Sequence, residues 1–221
     1  MVAVPDTSGA TMPSSVQHVN GAILRDNSRH TDMTDTDVLD LFRHSGALLE
    51  GHFKLSSGLH SDRYLQSALV LQHPDFAEQL GRALGERTRH LQATAVLSPA
   101  LGGIVIGQEV GRALQVRALF AERQEGTLLL RRGFALDARD RVLIVEDVIT
   151  TGKSTRETIA VAEAAGAQVV GAASIIDRGA DASRLDVPLQ SLVQMQVAAY
   201  DPASCPLCAQ GLPVVKPGSR T

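Results

Sequence analysis

The segment Val142-Leu143-Ile144-Val145-Glu146-Asp147-Val148-Ile149-Thr150-Thr151-Gly152-Lys153-Ser154 concentrates more chemistry than any other stretch of this 221-residue chain. An apolar run ends in two adjacent carboxylates, followed by a hydroxyl-rich turn and then a helical pattern. Two acids at the mouth of a buried strand are costly without partners. Diol hydroxyls or a bound cation would suit them. The turn offers the backbone N–H groups of Thr151 to Ser154, the hydroxyls of Thr150, Thr151 and Ser154, and the positive end of a helix dipole. Together these make a cup sized for one phosphate monoester. Carboxylates for a ribose beside a cup for its 5′-phosphate describe a sugar-phosphate site. A helix cap and a glycine turn alone would explain an isolated Thr-Thr-Gly, but not the whole strand–acid–acid–turn–helix unit. The Gly-x-x-x-x-Gly-Lys-Ser/Thr spacing of a Walker A loop is not met, and no Gly-x-Gly-x-x-Gly follows a strand.

The elements that must hold this unit are legible on either side of it. Residues 1–32 are rich in Ser, Thr, Gly, Asp and Asn without apolar periodicity, and read as a disordered extension. Thr34 with Asp37 three residues on resembles a capping box opening a helix through Phe42, with Gly46 near its end. A second helix spans about Asp75 to His90 behind Pro74. Strands follow at Ala93–Leu97, Val116–Phe120, Thr127–Arg131, Arg141–Val145, Gln168–Ile176 and Leu189–Val197, with helices up to Leu114 and over Ser154–Ala165. This alternation predicts an α/β fold with a mainly parallel sheet and helices on both faces. Ligands then belong at the C-terminal ends of the strands.

Composition narrows the function classes. Seven aromatic residues and a net charge of −3 supply neither stacking rings nor a basic field, so no nucleic-acid partner is expected. No apolar run approaches the roughly 20 residues of a membrane span. The N-terminus lacks a basic start and apolar stretch, so a cytoplasmic protein is expected. Of 21 basic residues only Lys54, Lys153 and Lys216 are lysines, which leaves 18 arginines. The two cysteines form one motif, Cys205-Pro206-Leu207-Cys208. It can be half a zinc site, a redox pair or two structural thiols; a metal would need two further ligands, no nearby histidine offers itself, and we read the pair as structural.

Val142 to Ser154 resembles the phosphoribosyl pyrophosphate (PRPP) motif of the type I phosphoribosyltransferases. Within that superfamily the chain resembles the orotate-using branch. Phe53-Lys54-Leu55-Ser56-Ser57-Gly58-Leu59-His60-Ser61 matches its Phe-x-Leu-x-Ser-Gly-x-x-Ser signature, and Ile175-Ile176-Asp177-Arg178 matches the strand whose arginine is used on orotate. Cys205 to Cys208 and Lys216 to Arg220 resemble one bacterial branch. The resemblance implies the type I phosphoribosyltransferase fold over residues 33–221, with a small hood from about 33–70 plus the C-terminal segment. It also implies transfer of a phosphoribosyl group from Mg-PRPP to orotate, giving orotidine 5′-monophosphate and pyrophosphate in pyrimidine biosynthesis.

Carried over by position, Glu146 and Asp147 would bind the ribose hydroxyls. Val148, Ile149, Thr150, Thr151, Gly152, Lys153 and Ser154 would line PRPP, with residues 150–154 on its 5′-phosphate. Gly102 and Gly103, in the loop from Ser98, would face the pyrophosphate. Thr150, Arg178, Tyr64 and Leu65 would surround orotate. Residues 122–134 would form a mobile cover shared across a homodimer, with Arg123, and also Arg131 and Arg132, on the pyrophosphate. Mg²⁺ would be held mainly through PRPP, with no direct protein ligand.

The match departs where many relatives carry lysines, at Ser56 and Gly102, and where their cover carries Lys and His, here Gln124 and Thr127. Arginines and backbone amides, with Lys54 and Lys153, are the expected replacements. His52, His60 and His73 read as surface or hood residues. The rival functions are transfer to a purine or another base, and a non-catalytic PRPP-sensing regulator. Leu55-Ser56-Ser57-Gly58 with Arg178 argues against the first, and the absence of a DNA-binding module or basic face against the second. A fused decarboxylase barrel would need over 200 further residues, by the usual size of such barrels.

Overall fold

The central strand of the molecule is β6, Arg141–Ile149, and its side chains explain the layering around it. Val142 and Ile144 belong to one buried apolar cluster, Leu143 and Val145 to another, as the twofold side-chain period of a strand requires. Both faces must therefore be covered, which is the condition under which a parallel strand reads as a continuous apolar run. The structure, a computed structural model, describes residues 33–55, 57–179 and 185–217. The extension expected over residues 1–32, Ser56 and the last residues of the chain lie outside the described residues.

The main sheet has the order β5-β4-β3-β6-β7-β8. Its strands are β3 (Ala95–Pro99), β4 (Arg117–Gln124), β5 (Thr127–Leu130), β6, β7 (Gln168–Asp177) and β8 (Leu189–Gln194). Only β4–β5 is antiparallel; the other neighbours are parallel. From β3 the chain continues outward to β4, and from β6 it continues the other way to β7 and β8. The β3–β6 gap is therefore the point where the winding reverses, and crevices open at the C-terminal ends of such strand pairs. After β3 the chain enters α4 (Gly103–Leu114), whose Ile106 and Val110 join the cluster of Leu143. After β6 it enters α5 (Lys153–Ala164), whose Ala162 joins the cluster of Val142. The two helices leave to opposite faces.

The remaining helices back the first face. Helix α1 (Asp35–His44) starts at the expected capping box: Thr34 Oγ1 accepts from the Asp37 amide at 3.2 Å, and the Asp37 carboxylate accepts from the Thr34 amide at 3.1 Å. Helix α2 (Ser67–Leu71) was not evident in the sequence, and α3 (Pro74–Thr88) falls where expected. Helix α3 packs so closely on α4 that a Cβ at Gly81 would lie 2.8 Å from the backbone carbon of Glu109.

Two sequence expectations are corrected. Strand β6 does not end at Val145 but runs through Glu146 and Asp147 to Ile149, paired with β7 as far as Ile149–Asp177. Within the expected cover, residues 122–130 are the antiparallel end of β4 with β5, turning at Glu125–Gly126, both at positive φ, and the strand expected from Thr127 is present. The second correction lies in the hood. Here β1 (Leu48–Lys54) and β2 (His60–Leu65) form a separate antiparallel hairpin, joined to the C-terminal segment by main-chain pairing of Phe53 with Val215 and His60 with Tyr200. That docking buries His52 and His60 against Cys205 and Cys208. Both histidines are hood residues, as one of the two expected placements had it, and both are buried; the Cys pair, against expectation, does have histidine neighbours.

Candidate active site

Because β6 continues regularly past Val145, its two acids leave on opposite faces. Glu146 points to the α5 side. It is 5 % exposed and accepts from the Ser154 hydroxyl at 3.0 and 3.2 Å and from the Thr155 hydroxyl. Asp147 points to the α4 side, where the hydroxyl of Ser67 at the start of α2 and the amide of Val148 favour its charged form. Burial pushes both carboxyls above the ordinary carboxylate range; the hydrogen bonds pull the other way and are outweighed. An acid held above its ordinary value by burial at the mouth of a crevice marks a functional site more often than a structural one.

The glycine loop after β3 meets Asp147. A Cβ at Gly102 would lie 2.8 Å from Asp147 Oδ1, and one at Gly103 would lie 2.9 Å from the Val145 carbonyl. Any side chain at residue 102 therefore displaces the carboxylate. The Ala100–Leu101 peptide in this loop is cis. Ser98, near the end of β3, is buried, and its hydroxyl has no hydrogen-bond partner among the described residues. Gly102→Ala is expected to lower kcat/KM roughly three- to tenfold, up to ~1.4 kcal/mol. The melting temperature should stay within about 2 °C of wild type. Steady-state kinetics with a thermal melt checks both.

The turn after β6 has the form expected of the cup. Gly152 sits at φ 69°, left-handed, and is the residue from which α5 starts. The side chains of Thr150 and Thr151 are exposed, and the helix's first N–H groups lie free of i→i−4 bonds. The Lys153 side chain lies along α5 instead of over the turn. It is 75 % exposed and faces Glu157 Oε1 at 3.9 Å. Val148 is partly buried, and Ile149 lies in the core, its carbonyl accepting from the Arg178 amide at 2.8 Å.

That amide contact puts Arg178, just past the end of β7, beside the mouth of β6. Its guanidinium is partly buried, its Nε has no hydrogen-bond partner among the described residues, and burial lowers its pKa. A desolvated guanidinium nitrogen without a partner is placed for an anion. Tyr64 and Leu65 end β2, with the Tyr64 ring 6.0 Å from that of Phe53. They stand three and two residues before Ser67, whose hydroxyl lies beside Asp147.

Arg123 is not brought to the crevice. Its guanidinium pairs with Glu157 of α5 and with the Gly126 carbonyl, while Arg132 makes a two-pronged bond to Glu122 at 2.7 and 2.8 Å. A groove of about 580 Å³ does lie in this region, between β5 and α5. It is lined mainly by Leu, Val and Ala and stands apart from the carboxylates. Two residues were not evident in the sequence, Ser67 and Thr155. Thr155 had a signal, since it follows the cup directly on the same helix turn. The Ser67–Asp147 pairing had none, because the two residues are 80 positions apart.

A parallel sheet whose winding reverses beside two acids, a glycine loop and a helix N-terminus suits a phosphorylated ligand, and the comparisons give the class. Residues 67–203 match the family described as phosphoribosyl transferase domain, and the chain belongs to it. Within that class it belongs to the orotate phosphoribosyltransferases. The enzyme of that name from Chlorobaculum parvum is 50 % identical over 189 residues, 86 % of this chain and 98 % of that one. The one from Pelotomaculum thermopropionicum is 50 % identical over 188 residues, 85 % and 99 % of the two. Among solved structures, orotate phosphoribosyltransferase from Aeropyrum pernix superimposes with a TM-score of 0.61 at 27 % identity, over 72 % of this chain and 93 % of that one.

Proposed function

We propose that the chain transfers the 5-phosphoribosyl group from Mg-PRPP to orotate, releasing pyrophosphate and forming orotidine 5′-monophosphate. The observation that carries this reading is the convergence at one strand end of Asp147, the α5 cup and the unpartnered Nε of Arg178. One position suits a ribose hydroxyl, one a phosphate and one a carboxylate. Residues 33–221 are taken as the catalytic domain, with the hood from about 33–70 plus the C-terminal segment.

Cleaving the bond between C1′ and pyrophosphate develops positive charge on the ribose and negative charge on the leaving group. The chain's part is to fix both ends and to place charge where it develops. Thr150 to Ser154 hold the 5′-phosphate, and the Gly102–Gly103 loop gives pyrophosphate room beside its backbone. Asp147 takes a ribose hydroxyl. Glu146 holds Ser154 and Thr155, and so the cup, and reaches the ribose by exchanging the Ser154 hydroxyl for a substrate one. Mg²⁺ enters with PRPP as part of the substrate and neutralises pyrophosphate charge. Arg178, Thr150, Tyr64 and Leu65 receive orotate. Arg123 joins only if pyrophosphate displaces Glu157 from it, which the hairpin could supply to its own site or, in a homodimer, to a partner's. Free thiols at Cys205 and Cys208 suit a reducing cytoplasm. No helix among the described residues is long and apolar enough to cross a membrane.

The test is a spectrophotometric assay with PRPP and Mg²⁺, supplying orotate, uracil, hypoxanthine or adenine. Turnover with orotate far above the other three is expected. Equal turnover of a purine, or none of orotate, overturns the proposal.

A further inference from the structure

We propose that His52, His60, Cys205 and Cys208 form a tetrahedral zinc site that fastens the β1–β2 hairpin to the C-terminal segment. The four side chains come from two sequence pairs about 150 positions apart, and one potential ligand atom from each lies within 4.8 Å of all the others. His52 Nε2 is 2.9 Å from His60 Nδ1 and 3.5 Å from Cys205 Sγ; Cys208 Sγ is 3.4 Å from His60 Nδ1 and 3.8 Å from His52 Nε2. Zinc bonds of about 2.0–2.1 Å to nitrogen and 2.3 Å to sulfur place tetrahedral ligands roughly 3.3–3.8 Å apart. Three sulfur–nitrogen spacings, 3.4, 3.5 and 3.8 Å, meet this, and the two ring nitrogens need open by only a few tenths of an ångström.

The surroundings prepare the site. His52 Nδ1 is 2.8 Å from the Leu212 carbonyl, which can only accept. The ring proton therefore sits on Nδ1, and the lone pair of Nε2 faces the cluster. A second ring nitrogen bonded to a carbonyl is the outer-shell arrangement of metal-ligating histidines. Both histidines and Cys205 are buried, and Cys208 lies at the surface, so the centre is closed on three sides with an entry path on the fourth. The frame is rigid. Val215 N donates to the His52 carbonyl at 2.8 Å, and His60 and Tyr200 exchange main-chain bonds at 2.9 and 2.8 Å. Two thiolates with two imidazoles select zinc over magnesium or calcium. Binding releases one proton from each thiol and leaves no open coordination position, so the role is structural.

The site would act at a distance on the hood. Strand β2 starts at His60 and ends at Leu65, so fastening its first residue restrains the strand that carries Tyr64. This last step rests on the proposed orotate site; the zinc site itself does not.

The experiment uses the full chain purified without chelator and measures bound metal by mass spectrometry. About one zinc per chain is expected, and far less in Cys208→Ser, whose exposed position keeps folding out of question. Stripping the metal should lower the melting temperature by about 5–10 °C, and adding zinc should restore it. Cobalt reconstitution should give the intense visible bands of a tetrahedral site with a thiolate charge-transfer band. Absence of zinc together with failure to take up zinc or cobalt overturns the proposal. So does a mass lower by two hydrogens, marking a Cys205–Cys208 disulfide, or equal zinc in Cys208→Ser, marking adventitious metal. Zinc bound at stoichiometry in a protein inactive on orotate would sink the proposed function and leave the zinc site standing.

Discussion

Asp147→Asn is expected to lower kcat by at least about tenfold, ~1.4 kcal/mol of transition-state stabilisation, while the melting temperature at neutral pH stays at or above that of the unaltered chain. The two outcomes share one cause. Burial holds the Asp147 carboxyl above its ordinary 3.8, with hydrogen bonds from Val148 and Ser67 opposing. The folded chain therefore keeps a proton that the unfolded chain has already released. Stability from this group is complete below about pH 4, the ordinary carboxylate value, and is lost as pH rises through its higher native value. Glu146 adds in the same direction from its ordinary 4.5.

Asparagine carries no charge to desolvate and keeps the shape and one acceptor. It should flatten the fall in stability between about pH 4 and 7. What it cannot do is offer a full negative charge to a ribose becoming positive. Kinetics at saturating PRPP, with thermal melts across that pH range, reads both effects. An unchanged kcat would remove Asp147 from catalysis, and lost activity with a lowered melting temperature would make it a structural acid instead.

Asp147 was legible in the sequence because its surroundings are local. The β6–α5 unit is contiguous, so the apolar run, the acids, the turn glycine and the helix pattern appear together in thirteen residues. The capping box at Thr34 and Asp37 is likewise local. The place where strand β6 ends was not legible, because Glu146 and Asp147 break the apolar run without breaking the pairing to β7. The consequence is chemical: continued strand geometry sends the acids to opposite faces, one into the cup and one into the crevice. The hood hairpin was missed because β1 alternates poorly, with an irregularity between Glu50 and Phe53 that spoils the twofold period. With the hairpin went the burial of His52 and His60 beside the cysteines, a contact that only the main-chain pairing to Val215 and Tyr200 creates.

Arg178→Ala is expected to raise the KM for orotate roughly 10- to 100-fold. This matches the 1.5–3 kcal/mol typical of a hydrogen bond to a charged group, with a smaller effect on kcat and little on the KM for PRPP. The guanidinium emerges where β7 ends. Its amide is tied to Ile149, its Nε is left without a partner among the described residues, and burial lowers its pKa. A partly desolvated cation in that position gains most from a carboxylate offered in its plane. Orotate has one and uracil does not, so the discrimination between them should collapse in the variant while the slow turnover of uracil stays the same. Arg178→Lys restores the charge without the fork, and should recover only part of the lost affinity. Parallel kinetics on orotate and uracil for the three proteins separates a carboxylate contact from a general disturbance of the site. A disturbance would slow both bases alike, and unaltered orotate kinetics would remove Arg178 from base recognition.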